Sequence, residues 1–359
     1  MINEIGSDYW LTDKDYQNAL LCEPIVSLPY SFKKVVLTSL CRTGIELFLD
    51  KIDKSNGVAF VPEFTCHSVV RPFANHGYDV HGYKLKSDLS IDVEYLGGLV
   101  SKYEPDVIII HSYFGFNTIP KNIREVISDT VIIEDLTQRL FSSFPLTEAD
   151  SYVGSIRKWM PIPDGGFYAG DTNIDEPVVE DSSFTKHELD AFLCKGKYMI
   201  GENIEKNVFR EAFASARQML KKGYHPYTMS KLSRQLYNSF DLKHWKSIRQ
   251  KNARYLVEHL NEFDFLDLPL SNVDEQTVPF MIPVFVKERR KEFQSFLAKN
   301  DIYATIIWTC PEELQNELTD VGRYIYDHIL CFHCDQRYNL EDMERIYNVI
   351  KLFNDNLYE

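Results

Sequence analysis

The sequence lacks any run approaching the roughly 18 consecutive apolar residues that a membrane-crossing helix needs. It is also short of positive charge, with 39 Lys+Arg against 53 Asp+Glu and a formal net charge of −14. A protein whose main partner is nucleic acid needs a basic surplus, at least locally. The one dense basic run, Lys287 to Lys291, includes Glu288 and reads as the solvated start of a helix. The first residues, MINEIGSDYWLTDKDY, are polar and acidic where a signal peptide carries an apolar core. The seven cysteines are odd in number and scattered, which fits reduced thiols better than a disulfide framework. Together these point to a cytoplasmic protein with neither membrane nor nucleic acid as partner. There is no repeat and no low-complexity tract. G-x-G-x-x-G after a strand, G-x-x-x-x-G-K-[ST], G-x-S-x-G and H-E-x-x-H are all missing, which removes the local signatures of dinucleotide, P-loop, serine-hydrolase and zincin chemistry. His187-Glu188 begins the last of these, but Ala191 stands where its second histidine belongs.

What is present is globular. Hydrophobic residues make up 44% and charged residues 26% of 359, enough chain for a large domain and a smaller companion. The first half alternates. VVLTSL (35–40) leads into a helix with Ile45, Phe48, Leu49 and Ile52 on one face. The stretch Lys54 to Gly57 breaks that helix. VAFVP (58–62) reads as a strand, Ser68 to His76 as a helix, YDVHGYKL (78–85) as a strand and 92–102 as a helix. DVIIIHSYF (106–114) is a β-branched run suited to burial on both faces; a helix near 120–128 then leads to TVIIED (130–135). This is the pattern of an α/β protein with a mainly parallel sheet flanked by helices. Residues 182–262 are mostly helical, broken at KKGYHPY (221–227). VPFMIPVFV (278–286) reads as a strand that Pro279 and Pro283 demote to an edge or irregular one. Leu340, Met343, Ile346, Ile350 and Phe353 fall at helical spacing. The expected division is 1–245 for a large domain with an N-terminal segment and 246–359 for a small C-terminal α+β domain.

Four segments carry residues suited to chemistry. SLCRTGIEL (39–47) opens a helix with a hydroxyl-rich turn; its backbone amides, with Thr43 and Arg42, suit a phosphate, and equally an ordinary helix cap. VIIEDLTQR (131–139) ends a buried strand in Glu134 and Asp135, with Gln138 beyond, and catalytic groups of α/β proteins gather at the carboxyl ends of strands. A carboxylate there can hold a protonated ring nitrogen, or simply cap a helix. SIRKWMPIPDGGF (155–167) places Lys158 among apolar residues before a Gly-Gly pair. Such a lysine can condense with a carbonyl, or be a surface lysine beside a turn. VPEFTCHSVVRPF (61–73) brings Phe64, Cys66 and His67 to the end of a strand, where they can cover an aromatic cofactor or join the core. Cys331-Phe-His-Cys334 has the spacing of half a zinc site without a second half; no metal is expected, and two buried thiols are the plainer reading.

In this order the four segments resemble the DegT/StrS-type sugar aminotransferases, pyridoxal-phosphate enzymes of the aspartate-aminotransferase fold (fold type I). The resemblance runs over about residues 30–353. It takes in DVIIIHSYFG (106–115), MSKLSRQLYNSFDLKHWKSIRQKNARYLVEHL (229–260) and ILCFHCDQRYNLEDMERIYNVI (329–350). It implies that Lys158 carries the cofactor, because Gly165-Gly166 follow at the spacing the family keeps. It implies that Asp135 pairs with the pyridine nitrogen and that Gln138 lies near the ring hydroxyl. Arg42, Thr43 and Ser155 fall on the phosphate contacts, and Cys66 or His67 on the ring-stacking position. The chain departs from the pattern in two places. Ser155-Ile-Arg-Lys158 is two residues shorter than the usual Ser-x-x-x-x-Lys, so that Arg157 is a candidate for part of the phosphate contact. Gly223-Tyr-His-Pro-Tyr-Thr-Met-Ser230 lacks the family's asparagine and arginine, leaving His225 or Tyr227 to substitute at a partner subunit's site.

The resemblance implies transfer of an amino group from an amino acid, glutamate by expectation, to a nucleotide-linked keto sugar, for surface polysaccharide or related biosynthesis. It also implies a homodimer, for which aromatic and apolar residues in 9–32 and 221–240 are the compositional hint. Two alternatives stand beside it. One is another pyridoxal-phosphate reaction on a deoxysugar, such as dehydration, for which some members replace the lysine. The other is a non-catalytic relative of the fold.

Overall fold

The computed structural model describes residues 4–52, 54, 56–127, 130–220 and 225–355. In chain order the strands are β1 (Ile5–Gly6), β2 (Val35–Thr38), β3 (Val58–Pro62), β4 (Asp79–Tyr83), β5 (Val107–His111), β6 (Val131–Asp135), β7 (Ser151–Ser155), β8 (Gly166–Gly170), β9 (Leu266–Asp267), β10 (Ile282–Val286), β11 (Ile302–Tyr303) and β12 (Ile329–Phe332). The α-helices are α1 (Asp13–Leu20), α2 (Cys41–Ile52), α3 (His67–Asn75), α4 (Val93–Tyr103), α5 (Ile123–Val126), α6 (Ser182–Met199), α7 (Lys206–Met219), α8 (Lys231–Ser239), α9 (Leu242–Leu260), α10 (Arg290–Lys299), α11 (Asp320–His328) and α12 (Leu340–Asp355). Two compact units result: Met1–Asn3 with Asp8–Asp53 and Ser151–Asp241, and Glu4–Ser7 with Lys54–Asp150 and Leu242–Glu359.

In the second unit, β6, β5, β3 and β4 lie side by side in that order, and every pairing is parallel. Helices α3, α4 and α5 make the crossovers between them. All five residues of β5 are buried. Burial on both faces is what a β-branched run achieves in a parallel sheet covered by helices. Of the helix expected near 120–128, only Ile123–Val126 is helical; residues 128 and 129 lie outside the described residues. The expected break after α2 is there, with Ser55 likewise outside.

The same unit holds an antiparallel sheet in the order β12-β10-β9. The expectation of an edge or irregular strand at 278–286 is thereby corrected, because β10, Ile282–Val286, is the central strand and carries Pro283 within it. The two-residue β9 explains the exception: it pairs only with Phe285 and Val286, so the flank opposite Pro283 carries no ladder for the missing N–H to break. Cys331 and Cys334 are fully buried free thiols, and burial pushes Cys334 up to about 12. They are core residues.

Beside them lies an acidic anchor. Asp335 is 2% exposed and takes 2.7 Å hydrogen bonds from Arg337 Nε and Nη2. Burial opposes its charge, but the Arg337 guanidinium, with His333, overrides burial and holds the carboxyl well below the usual range. A depressed carboxyl pKa contributes stability that is present above the unfolded value, about 3.9, and lost as pH falls through the folded one. Asp335→Asn should therefore destabilise the chain by about 3 kcal/mol at neutral pH. In urea titrations the gap between variant and parent should narrow below about pH 4. A gap that is constant with pH would overturn this reading.

Candidate active site

In the first unit, β2, β8 and β7 form an antiparallel sheet whose register sets the site. Thr38 and Ser155 both pair with Gly166, from opposite sides. Adjacent strands are about 4.8 Å apart, so the turn leaving β2 and the turn leaving β7 start about 10 Å apart. The first is Ser39-Leu40 running into α2. A Cβ on Gly166 would come within 2.4 Å of the backbone of both Leu40 and Cys41, and Gly165 holds φ +141°. Only glycine lets β8 begin against the first turn of α2. Thr43 is buried in that turn, whose opening amides have no partner within the helix. The Arg42 guanidinium donates to Leu220 O at 2.5 Å.

After Ser155, which is 3% exposed, the chain turns tightly. Ile156 N and Arg157 N both donate to Gly165 O, at 2.9 and 3.2 Å, and Trp159 N donates to Ile156 O at 3.0 Å. Lys158 rides on this turn, half-buried, and makes no hydrogen bond or ion pair among the described residues. Gly165 N in turn donates to Ser39 O at 2.7 Å, and Ser39 N to Tyr227 O at 2.9 Å. Arg42, Thr43, Ser155, Lys158 and Tyr227 are thus gathered around one glycine pair. His225 is exposed, its ring 5.6 Å from that of Tyr227. Gly223 and Tyr224 lie outside the described residues.

Sequence reasoning passed over Asp164. It is wholly buried and accepts from Ser230 N at 3.0 Å and Ser230 Oγ at 2.7 Å, locking the start of α8 to the Lys158 loop. Burial raises its carboxyl above the ordinary value. Its place before two glycines was visible, but its partners, 66 residues on, were not.

In the second unit, three chain reversals follow the carboxyl ends of β3, β5 and β6. Asp135 closes β6 opposite His111, the last residue of β5. Asp135 is 4% exposed, and its Oδ1 accepts from Thr137 N at 2.8 Å. Glu134 is spoken for. Its two oxygens take Arg139 Nη1 at 3.0 Å and Thr147 Oγ1 at 2.5 Å, and burial raises its carboxyl against the pull of Arg139. Period-2 alternation sends the two carboxylates to opposite faces, which separates the structural acid from the candidate functional one. Gln138 accepts from Phe114 N through Oε1 at 2.7 Å, while its buried Nε2 has no partner among the described residues. His111, also missed, is 5% exposed, with Nε2 2.9 Å from Tyr113 Oη.

Phe64 joins the core. Its ring packs against Tyr113, Trp308 and Tyr326 at 5.0–5.7 Å. Cys66 is the half-buried N-cap residue of α3, its Sγ 3.0 Å from Ser68 Oγ, and His67 is exposed.

No protein-family profile matches the chain, and no curated protein sequence matches it. Solved structures do. The aminotransferase TlmJ from Streptoalloteichus hindustanus superposes with a TM-score of 0.73 at 13% identity, covering 100% of both chains. The GDP-4-keto-6-deoxy-D-mannose-3-dehydratase of E. coli, with bound hydrated PLP, gives 0.67 at 16% identity over 97% of this chain and 99% of that one. A DegT DnrJ EryC1 StrS aminotransferase from Brucella abortus gives 0.65 at 17% identity over 90% and 86%. The fold is the one these enzymes share. It is the fold that the ordered segments of the sequence resemble, traversed from end to end.

Proposed function

We propose that this protein is a pyridoxal-phosphate aminotransferase that moves the amino group of an amino acid, glutamate by preference, to a nucleotide-linked keto sugar. The observation that carries the reading is Lys158. It is a half-buried amine with no hydrogen bond or ion pair among the described residues, held on a rigid turn by the Gly165 carbonyl. The residues present fit the cofactor. Gly165 and Gly166 let β8 begin against the first turn of α2, and a helix N-terminus suits a phosphate, with Thr43 and Ser155 near the same glycines. Gln138 Nε2 is a buried donor without an acceptor among the described residues, suited to a ring oxygen. Asp135 ends β6 opposite His111, on the other face of the strand from the Glu134 that Arg139 and Thr147 hold.

Bound there, pyridoxal phosphate supplies an electron sink for the charge left when an amino acid loses its Cα proton. The chain supplies the rest. Lys158 Nζ would hold the cofactor through its aldehyde and, when free, would move a proton to and from the reacting carbons. Asp135 holds the proton on the ring nitrogen. Cys66 and His67 belong to the ring-stacking position, and His225 and Tyr227 to the rim that meets substrate or a partner subunit. A homodimer, a cytoplasmic setting and the division at 245/246 are part of the same proposal. Among the described residues no helix is long and apolar enough to cross a membrane.

Amino transfer is favoured over dehydration because position 158 keeps its lysine, which some dehydratases of the resembled family replace. The deciding assay supplies a nucleotide-linked 4-keto-6-deoxysugar and ¹⁵N-glutamate. The expected result is one labelled amino sugar for each 2-oxoglutarate formed. A deoxygenated keto sugar without label would establish dehydration instead, and failure to bind pyridoxal phosphate would leave a non-catalytic relative of the fold.

A further inference from the structure

The turn that carries Lys158 is two residues shorter than the resembled pattern, and something other than loop length must fix it. Its backbone is tied to Gly165, but the outward side of the turn needs a second anchor. Arg157 provides one. Its guanidinium extends to α6, where it lies 3.5 Å from Glu188 Oε1 and 5.8 Å over the Phe184 ring. Glu188 is only 7% exposed, on the buried face of α6. Its Oε2 has no hydrogen-bond partner among the described residues. Of the cations that act on this desolvated carboxylate Arg157 is the stronger, while the more distant Arg217 is paired with Asp8. Burial raises the Glu188 carboxyl, and Arg157 pulls it back down.

A carboxylate held under α6 with one oxygen unpaired among the described residues is costly unless the cation beside it stays in place. That cost is a restoring force on Arg157. Because Lys158 is the next residue in the same tight turn, a backbone shift at Arg157 would carry to the amine. We infer that Arg157 and Glu188 are a positioning pair for Lys158: a buried staple from α6 that replaces the length missing from the loop and aims the reactive amine. This rests on the reading of Lys158 as the cofactor lysine, and goes beyond it by naming what holds that lysine.

The test uses the full chain with Glu188→Gln, Arg157→Gln and the exchanged double variant Arg157→Glu/Glu188→Arg. Two quantities are read by mass spectrometry. One is the rate of acetic anhydride labelling of Lys158, relative to exposed Lys14, without cofactor. The other is the fraction of Lys158 trapped by borohydride in the presence of pyridoxal phosphate. The single variants should change the labelling ratio at least threefold and lower the trapped fraction at least fivefold. The exchange should bring both within twofold of the parent, a rescue that a purely structural packing role would not give. Where a single variant fails to fold by circular dichroism, Arg157→Lys and Glu188→Asp take its place, with a change of at least twofold expected. Unchanged labelling and trapping in folded single variants, or an exchange that rescues neither, overturns the staple. Absence of trapping in the parent refutes the cofactor reading instead, while the labelling ratio still decides the staple.

Discussion

Replacing Lys158 by alanine is expected to remove the visible absorption of the protein with pyridoxal phosphate and to lower amino transfer by about 10⁴-fold. The size follows from the number of tasks on one atom. The Nζ amine both holds the cofactor and relays the proton, and no other lysine rides on the 156–159 turn. Folding should survive. The side chain is half-buried and makes no polar contact among the described residues, so its loss leaves no partner stranded. Absorbance after gel filtration, together with the thermal midpoint, separates the two effects. Full activity of Lys158→Ala would sink the assignment, and an unfolded variant would show that the turn needs the side chain for structure.

The second large effect concerns stability. Arg139→Ala should cost about 3–5 kcal/mol, because it strands the Glu134 carboxylate in the core. Side chains of the pair are 1% and 0% exposed, and the guanidinium also donates to the carbonyls of Phe144 and Pro145. The loss carries a pH signature. Burial already raises the Glu134 carboxyl above its ordinary value, and without Arg139 it rises further. A folded state that binds a proton more tightly than the unfolded chain gains stability as pH falls. The deficit should therefore be larger at pH 8 than at pH 5 in urea unfolding. Glu134→Leu/Arg139→Met should recover part of it, since a neutral pair strands no charge. A variant as stable as the parent at both pH values would show that the pair contributes nothing. Activity is a separate readout, because Asp135 adjoins Glu134 and a shifted strand end would move it.

The alternating first half of the molecule was legible because its signal is local. The apolar runs of β5 and β6 are buried in a parallel sheet as their β-branched composition requires, and Ile45, Phe48 and Leu49 form the buried face of α2. Gly165-Gly166 could be picked out by spacing, and the structure gives the spacing a cause: one glycine has positive φ, and the other lies against the α2 backbone. The reading of 278–286 as an edge or irregular strand missed the central place of β10 because proline was weighed without its neighbours. A two-residue partner strand leaves room for Pro283 in the middle of a sheet, and nothing within that segment announces the length of β9.

By itself, then, the chain's order of residues determined the class of fold, the paired glycines, the lone lysine before them and the acid at the end of β6, since each depends on periodicity or on conformations that few residue types allow. Only three-dimensional packing decided which carboxylate was already neutralised, that Phe64 belongs to an aromatic cluster with Trp308, and that Arg157 faces Glu188 on α6. Those outcomes turn on partners from five to more than two hundred positions away. Charge and ring contacts act over a few ångströms of space and leave no mark at fixed intervals along the sequence.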